Sequence, residues 1–324
     1  YYRIMNFKLF IAYLLGFMGS CYILFLAYIY IIRGPIYFDE GTIKCSHIRI
    51  GSEYFVEEIE KNILVVDREM LEDIIAKNGD YENVCTSKIN NMGGEFDRLK
   101  GTYLSQKGLF THKKVIYDIT MWDMSNVRNM QFLFFNSDFN QDISNWDVSS
   151  VITMEAAFAF SNFNQNISNW DISNVLTMSG MFYDAPFNQD ISNWDVSNLY
   201  AMAAMFTHSD FNQDISNWDV GEVREMNELF RSSQFNQPVN SWDVSNVLYM
   251  QNMFRNSPFN QDISSWDIRN VVDIEGMFYK TPFDQDISKW EFNNISDTKI
   301  MFQKNEQTFY QYNYPIAYSL RIIE

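Results

Sequence analysis

Seven aspartates stand at one interval: Asp123, Asp147, Asp171, Asp195, Asp219, Asp243 and Asp267 are each 24 residues beyond the last and each directly follows a tryptophan. A row of carboxylates can be held by hydrogen bonds from the Ser and Asn side chains beside it, can face a cationic partner, or can bind Ca²⁺ or a similar cation. If successive units pair in register, the row is spaced at roughly 4.8 Å, and adjacent like charges cost about 1 kcal/mol per pair even in water. Something must offset that repulsion. Calcium-binding repeats supply Gly-rich turns with several ligands per coil, and this chain lacks them. The rest of the chemical inventory is thin. His47, His112 and His208 are scattered with no Cys or Asp at a telling offset, and no glycine-rich phosphate loop or metal-ligand spacing occurs. The expectation is a protein with no catalytic residue, no cofactor and no bound metal.

The elements that would position the row follow from the same interval. All eight tryptophans, Trp122, Trp146, Trp170, Trp194, Trp218, Trp242, Trp266 and Trp290, are 24 residues apart, and a Phe follows each at twelve residues, from Phe134 to Phe302. No enzyme needs its active site eight times, so such a period reads as stacked coils that share one core. Within the unit Phe139 to Phe158, Trp146 and Val148 alternate as a short strand would, whereas Val151, Met154 and Phe158 fall at i, i+3 and i+7, a helical stripe. The fold expected is an α/β solenoid: a right-handed, leucine-rich-repeat-like array of about nine 24-residue strand-turn-helix coils with a parallel sheet on one face, preceded by a transmembrane helix. In that reading the Trp row is core, with an exposed carbohydrate-stacking row as its alternative, and Asn140, Asn164, Asn188, Asn212, Asn236 and Asn260 satisfy backbone groups in the return loop.

The repeated string F-N-Q-D-I-S-N-W-D-V-S-N-V, with M-F further on, resembles the BspA-like leucine-rich repeat family over about residues 84 to 310. The resemblance implies a surface protein that acts in adhesion or partner binding. Pro238-Val239-Asn240, where Asp-Ile-Ser is usual, and Ile274, in place of the helical Met, depart from the pattern.

Composition narrows the partners. With 24 basic and 41 acidic residues the net charge is -17, which repels polyphosphate and argues against nucleic acid. Three cysteines rule out a disulfide scaffold and leave either free thiols or one Cys45 to Cys85 bridge. From Leu9 to Ile32 there are 24 residues without a charge, enough as a helix to cross a bilayer. That run predicts an uncleaved, single-pass membrane anchor with the repeats exposed at a cell or particle surface; lipidation at Cys21 and a buried helix are the alternatives. The organisation expected is an anchor (1–42), a small mixed α/β lead-in (43–83), a degenerate first coil with an insertion (84–121), the array (122–309) and a closing cap (310–324). In the degenerate coil Val84, Ile89, Met92 and Phe96 repeat the offsets of the full units.

The chain carries its own copies, so its variable positions can be read directly. Positions six and seven after each Trp change in every unit: Arg128 and Asn129, Ile152 and Thr153, Leu176 and Thr177, Tyr200 and Ala201, Arg224 and Glu225, Leu248 and Tyr249, Val272 and Asp273. A uniform surface encodes a specific partner poorly, so the expected interaction surface comprises the variable Tyr200, Arg224, Leu248, Tyr249 and Val272, with Asp147, Asp171, Asp195, Asp219 and Asp243 as the charged row. The functional expectation is a membrane-anchored repeat protein that displays a protein-interaction or adhesion surface. The alternative is a structural component of a membrane-bounded assembly, packed permanently against its neighbours.

Overall fold

The computed structural model describes residues 36–39, 41–45, 47–56, 59–94, 108–295 and 298–302. The chain divides into two compact units, one of residues 1–88 with 121–123 and one of 89–120 with 124–324.

In the first unit, strands β1 (Tyr37–Asp39) and β2 (Thr42–Lys44) form an antiparallel hairpin. Strands β3 (Glu53–Val56), β4 (Lys61–Val65) and β5 (Val84–Cys85) form a sheet in that order, with β3 antiparallel and β5 parallel to β4. Helix α1 (Arg68–Ala76) supplies the crossover between the parallel strands. It starts where the sequence provides a cap: the Asp67 side chain accepts the Met70 amide at 2.9 Å, and Leu71 and Ile75 face inward. Ile36, Ile43, Val56, Ile63 and Val65 form the core around a Cys45–Cys85 disulfide. Trp122 and Asp123 belong to this unit, so Asp123 is not one of an exposed row. It is buried, 2.8 Å from Lys44 Nζ, and accepts a hydrogen bond from the Ser87 hydroxyl.

The second unit is stacked turns. Parallel bridges link Asn91, Asn129, Thr153, Thr177, Ala201, Glu225, Tyr249 and Asp273 in succession, one per 24-residue unit across the full repeats. The amides of Met154, Ala156, Phe158 and Phe160 donate to the carbonyls of Thr177, Ser179, Met181 and Tyr183, while the alternate amides of Ala157, Ala159 and Ser161 close turns onto Met154, Ala156 and Phe158. Every second amide therefore joins the next unit and the others make the local bends.

This corrects the expected fold class. Among the described residues there is one α-helix, in the first unit; the repeats hold single-residue bridges and one short 3-10 helix, Thr298–Phe302, but no α-helix and no extended strand, so the chain is not an α/β solenoid of nine strand-turn-helix coils. Val151, Met154 and Phe158 repeat at helical spacing because a run of four-residue turns brings every fourth residue to the same face, as a helix does. Backbone conformation separates the two. Ala156 (φ 50°) and Phe160 (φ 57°) are left-handed, and the equivalent places recur through Ala204, His208, Glu228 and Ser232, with Gly180 (φ 64°) at one of them. A residue with positive φ breaks an α-helix and suits the third place of a tight turn, at about 1 kcal/mol for a side chain other than glycine. Nor does Trp146 start a strand, since its amide turns back onto Ile143 O at 3.1 Å.

The membrane expectation is also corrected. No helix among the described residues is long and apolar enough to cross a bilayer, and α1, at nine residues, extends about 14 Å against a hydrocarbon core of about 30 Å. The single-pass membrane placement therefore has no support in the described structure. The run Leu9–Ile32 on which it rested, and the 310–324 cap, lie outside the described residues.

The core of the repeats is aromatic. Phe182, Phe206, Phe230 and Phe254 stack at 5.8 to 5.9 Å in one column, and Phe187, Phe211, Phe235 and Phe259 at 6.2 to 6.3 Å in a second, with partners such as Phe182 and Phe187 face to face at 3.8 Å. The Trp row is buried beside them. Each indole N–H from Trp170 to Trp290 donates to the carbonyl 27 residues earlier, as Trp194 does to Ile167 O at 3.1 Å. Because that acceptor is backbone, the departure at Pro238-Val239-Asn240 leaves it intact: Trp266 donates to Val239 O at 2.9 Å. Trp146 Nε1 is buried without an acceptor. The Asn row forms a ladder in which each side-chain oxygen accepts the amide of the residue one unit on, as Asn188 Oδ1 does from Asn212 N at 3.0 Å and Asn260 Oδ1 does from Asp284 N at 3.1 Å.

The degenerate first unit keeps register as far as Met92, whose amide donates to Asn129 O at 2.9 Å. Phe110 stacks on Phe134 at 5.5 Å in the Phe column, and Phe96 lies outside the described residues. Gly94 and Phe110 donate to the carbonyls of Gln131 and Leu133, so the extra residues lie between 94 and 108. Gly108 is required at the return, since a Cβ there would stand 2.0 Å from Phe132 O.

Candidate interaction surface

The variable residues are brought into a line, though not on a helix. The amide of Leu176 donates to Ile152 O, Tyr200 to Leu176 O, Arg224 to Tyr200 O, Leu248 to Arg224 O and Val272 to Leu248 O, each at 2.9 Å. Tyr200, Arg224, Leu248 and Tyr249 are half-buried, and Val272 is 45% exposed. The seventh-position residues form the parallel bridges themselves, and there Glu225 is buried at 5% exposure. Burial pushes its carboxyl up to about 7. Two positions on in its own unit, Glu155 is fully buried. The Gln131 amide donates to its Oε2 at 2.8 Å, its Oε1 has no partner, and burial holds its pKa well above the carboxylate range. Neither glutamate stands out in the sequence, because both occupy positions whose residue type changes from unit to unit.

The Asp row is exposed from Asp147 to Asp243. Its carboxylates are held locally: Ser149, Ser173 and Ser197 each donate an amide at 3.1 Å and a hydroxyl at 2.6 Å to the Asp two residues earlier, and Gly221 and Ser245 donate amides to Asp219 and Asp243. These hydrogen bonds keep the Asp195 and Asp243 carboxyls below their ordinary pKa, and Arg269 does the same for Asp267. A second acidic row, four residues before the Trp, is built alike: Asp142, Asp190, Asp214 and Asp262 accept the amide of the Ser two residues on. Among the described residues, no three His, Cys, Asp or Glu side chains gather as a metal ion would need.

A further row was missed in the sequence. His112, Phe135, Phe160, Tyr183 and His208 follow one another across successive units with ring centroids 5.1 to 5.8 Å apart, packed over Ala156, Ala159 and Ala204. Its signal was the 96-residue interval between His112 and His208, four whole periods, which looks like scatter until the register is applied.

Repeated units stacked in register, with an aromatic core and an exposed row of aspartates, define a repeat protein. Residues 104–210 and 201–314, well over half of the chain, match the family described as "Mycoplasma protein of unknown function, DUF285", and the chain belongs to that family. No curated protein and no solved structure matches it.

Proposed function

We propose that the stacked repeats are a rigid binding module for a protein partner, without catalysis of their own. The resemblance of the repeat string to BspA-like surface proteins points the same way. One observation carries the reading: the residues that change from unit to unit lie in one hydrogen-bonded row, whereas the Trp, Phe and Asn rows that build the stack barely change. A fixed scaffold with one varied row can encode a specific partner, and the half-buried Tyr200, Leu248 and Tyr249 supply the apolar contact that interface centres need. The test uses the full chain and a Tyr200→Ser, Leu248→Ser, Tyr249→Ser variant as baits for native extract. The wild type is expected to capture a partner saturably, and the variant to lose it while keeping its melting temperature within a few degrees. Capture of the same proteins by a folded variant would exclude this row as the binding surface.

A further inference from the structure

The backbone of the varied row is used up inside the stack. The amide of each of Leu176, Tyr200, Arg224 and Leu248 bonds to the unit before, and the carbonyl of each takes an amide from the unit after. A partner strand therefore finds no free backbone group along this row, and a partner must be met by side chains. Ile152, Leu176, Tyr200 and Leu248 stand there half-buried and Val272 exposed, one per unit, with Arg224 among them. Arg224 is engaged already, its guanidinium donating to Asn246 O at 3.4 Å.

The Asp row borders this apolar row on the same surface. The link is continuous: Arg224 reaches Asn246 O, the Asn246 side chain donates to Gly221 O at 2.7 Å, and the Gly221 amide holds Asp219. Earlier units repeat it, with Asn174 and Asn198 donating to the carbonyls of Ser149 and Ser173, whose amides hold Asp147 and Asp171. The side chains of Asp147, Asp171, Asp195, Asp219 and Asp243 are exposed, and among the described residues none of them is ion-paired. Pairing begins only at Asp267, with Arg269 at 2.6 Å. An apolar row is thus flanked by an uncompensated negative one. A net charge of -17 repels a second copy, an anionic membrane and nucleic acid alike, and leaves a basic protein segment as the complement.

Pitch separates a helix from a strand in that segment. The row offers one side chain about every 4.8 Å, a helix presents its stripe about once per 5.4 Å turn, and an extended strand repeats on one side about every 6.6 Å. Over three steps the helix drifts by about 2 Å, within the reach of flexible side chains, and the strand by about 5 Å, a full unit.

We propose that the varied row and the Asp row together receive a basic amphipathic helix of a protein partner, its apolar stripe on Ile152, Leu176, Tyr200, Leu248 and Val272 and its Lys or Arg side chains over the aspartates. The proposal rests on reading the varied row as the binding surface and names what binds there. Two synthetic peptides of about five helical turns and equal Leu and Lys content test it, one with Leu at helical spacing and one with Leu and Lys alternating. Each is titrated into the full chain and followed by fluorescence anisotropy in low and high NaCl. The helical-period peptide is expected to bind saturably, at least about tenfold more tightly than the alternating one, and to loosen in high salt. Asp195→Asn with Asp219→Asn should loosen it about tenfold and remove most of the salt dependence. That pair should stay folded, because Asn166 Oδ1 already holds the Ser168 amide at 2.9 Å where other units use Asp. Equal affinity for the two peptides, or affinity untouched by the Asn pair, would overturn the proposal. In native extract, excess helical-period peptide should displace the partner that the wild type captures. A partner that stays bound removes this inference and leaves the varied row as the binding surface, whereas a folded Tyr200→Ser, Leu248→Ser, Tyr249→Ser variant that still takes partner and peptide removes the reading beneath it.

Discussion

Glu225 shows what a single residue can do in a ladder of bridges. Its carboxyl is buried where neighbouring units carry Ala201 and Tyr249, and burial raises its pKa from the ordinary 4.5 to about 7. The native state then holds a proton that the unfolded chain releases, so this contribution is fully present below about pH 4.5 and is lost as pH rises through 7. Integrated over that window it is on the order of 3 kcal/mol. Glu225→Gln should therefore flatten the fall of stability between pH 5 and 8 and raise the melting temperature at pH 8, read by thermal melts across pH. An unchanged pH slope in the variant would place the titration elsewhere. The residue could not be picked out beforehand, since its burial comes from the units stacked on either side.

At the scale of elements, the first unit was legible and the repeats were not. The mixed α/β lead-in expected over 43–83 holds β4 and α1, where the apolar run Ile63 to Val66 and a capping Asp67 ahead of Met70, Leu71, Ile74 and Ile75 place them, because a cap and an amphipathic stripe act within a few residues. In the repeats the apolar spacing suited a helix and a run of turns equally. The choice fell to turns because alternate amides bond to the next unit, a contact 23 residues away. The cysteines behave similarly: 40 residues apart, their pairing is decided by β2 and β5. Closing a loop of that length stabilises by about 4 kcal/mol in the chain-entropy account. Cys45→Ser with Cys85→Ser should lower the denaturant midpoint of the first unit by a corresponding amount, and reduction of the wild type should do the same. Equal midpoints for oxidised and reduced protein would show that the bridge does not contribute.

Over the whole molecule, stability comes from neighbours. Trp194 has a full unit on each side, and its indole donates to Ile167 O while Trp218 repeats the contact one unit on. Trp290 stands in the last of the described units, so a substitution there is expected to disturb fewer interfaces. Trp194→Ala should cost about 3 to 5 kcal/mol by leaving a large cavity, and Trp290→Ala distinctly less, measured as shifts of the urea midpoint. Equal, near-zero shifts at both sites would mean that the row is not the core.

The sequence by itself determined the period, the division between building rows and the varied row, and the local hydrogen bonds of Asp, Ser and Asn, because each depends on residues close in the chain or on a strict repeat. Tertiary structure decided the rest. It put turns in place of helices, took Asp123 out of the acidic row into an ion pair with Lys44, and buried Glu155 and Glu225. It also aligned His112, Phe135, Phe160, Tyr183 and His208 into one row. The physical reason is the same in each case: the partner that fixes the outcome is supplied by another stacked unit or a strand distant in sequence, and no spacing within one unit encodes where that partner will stand.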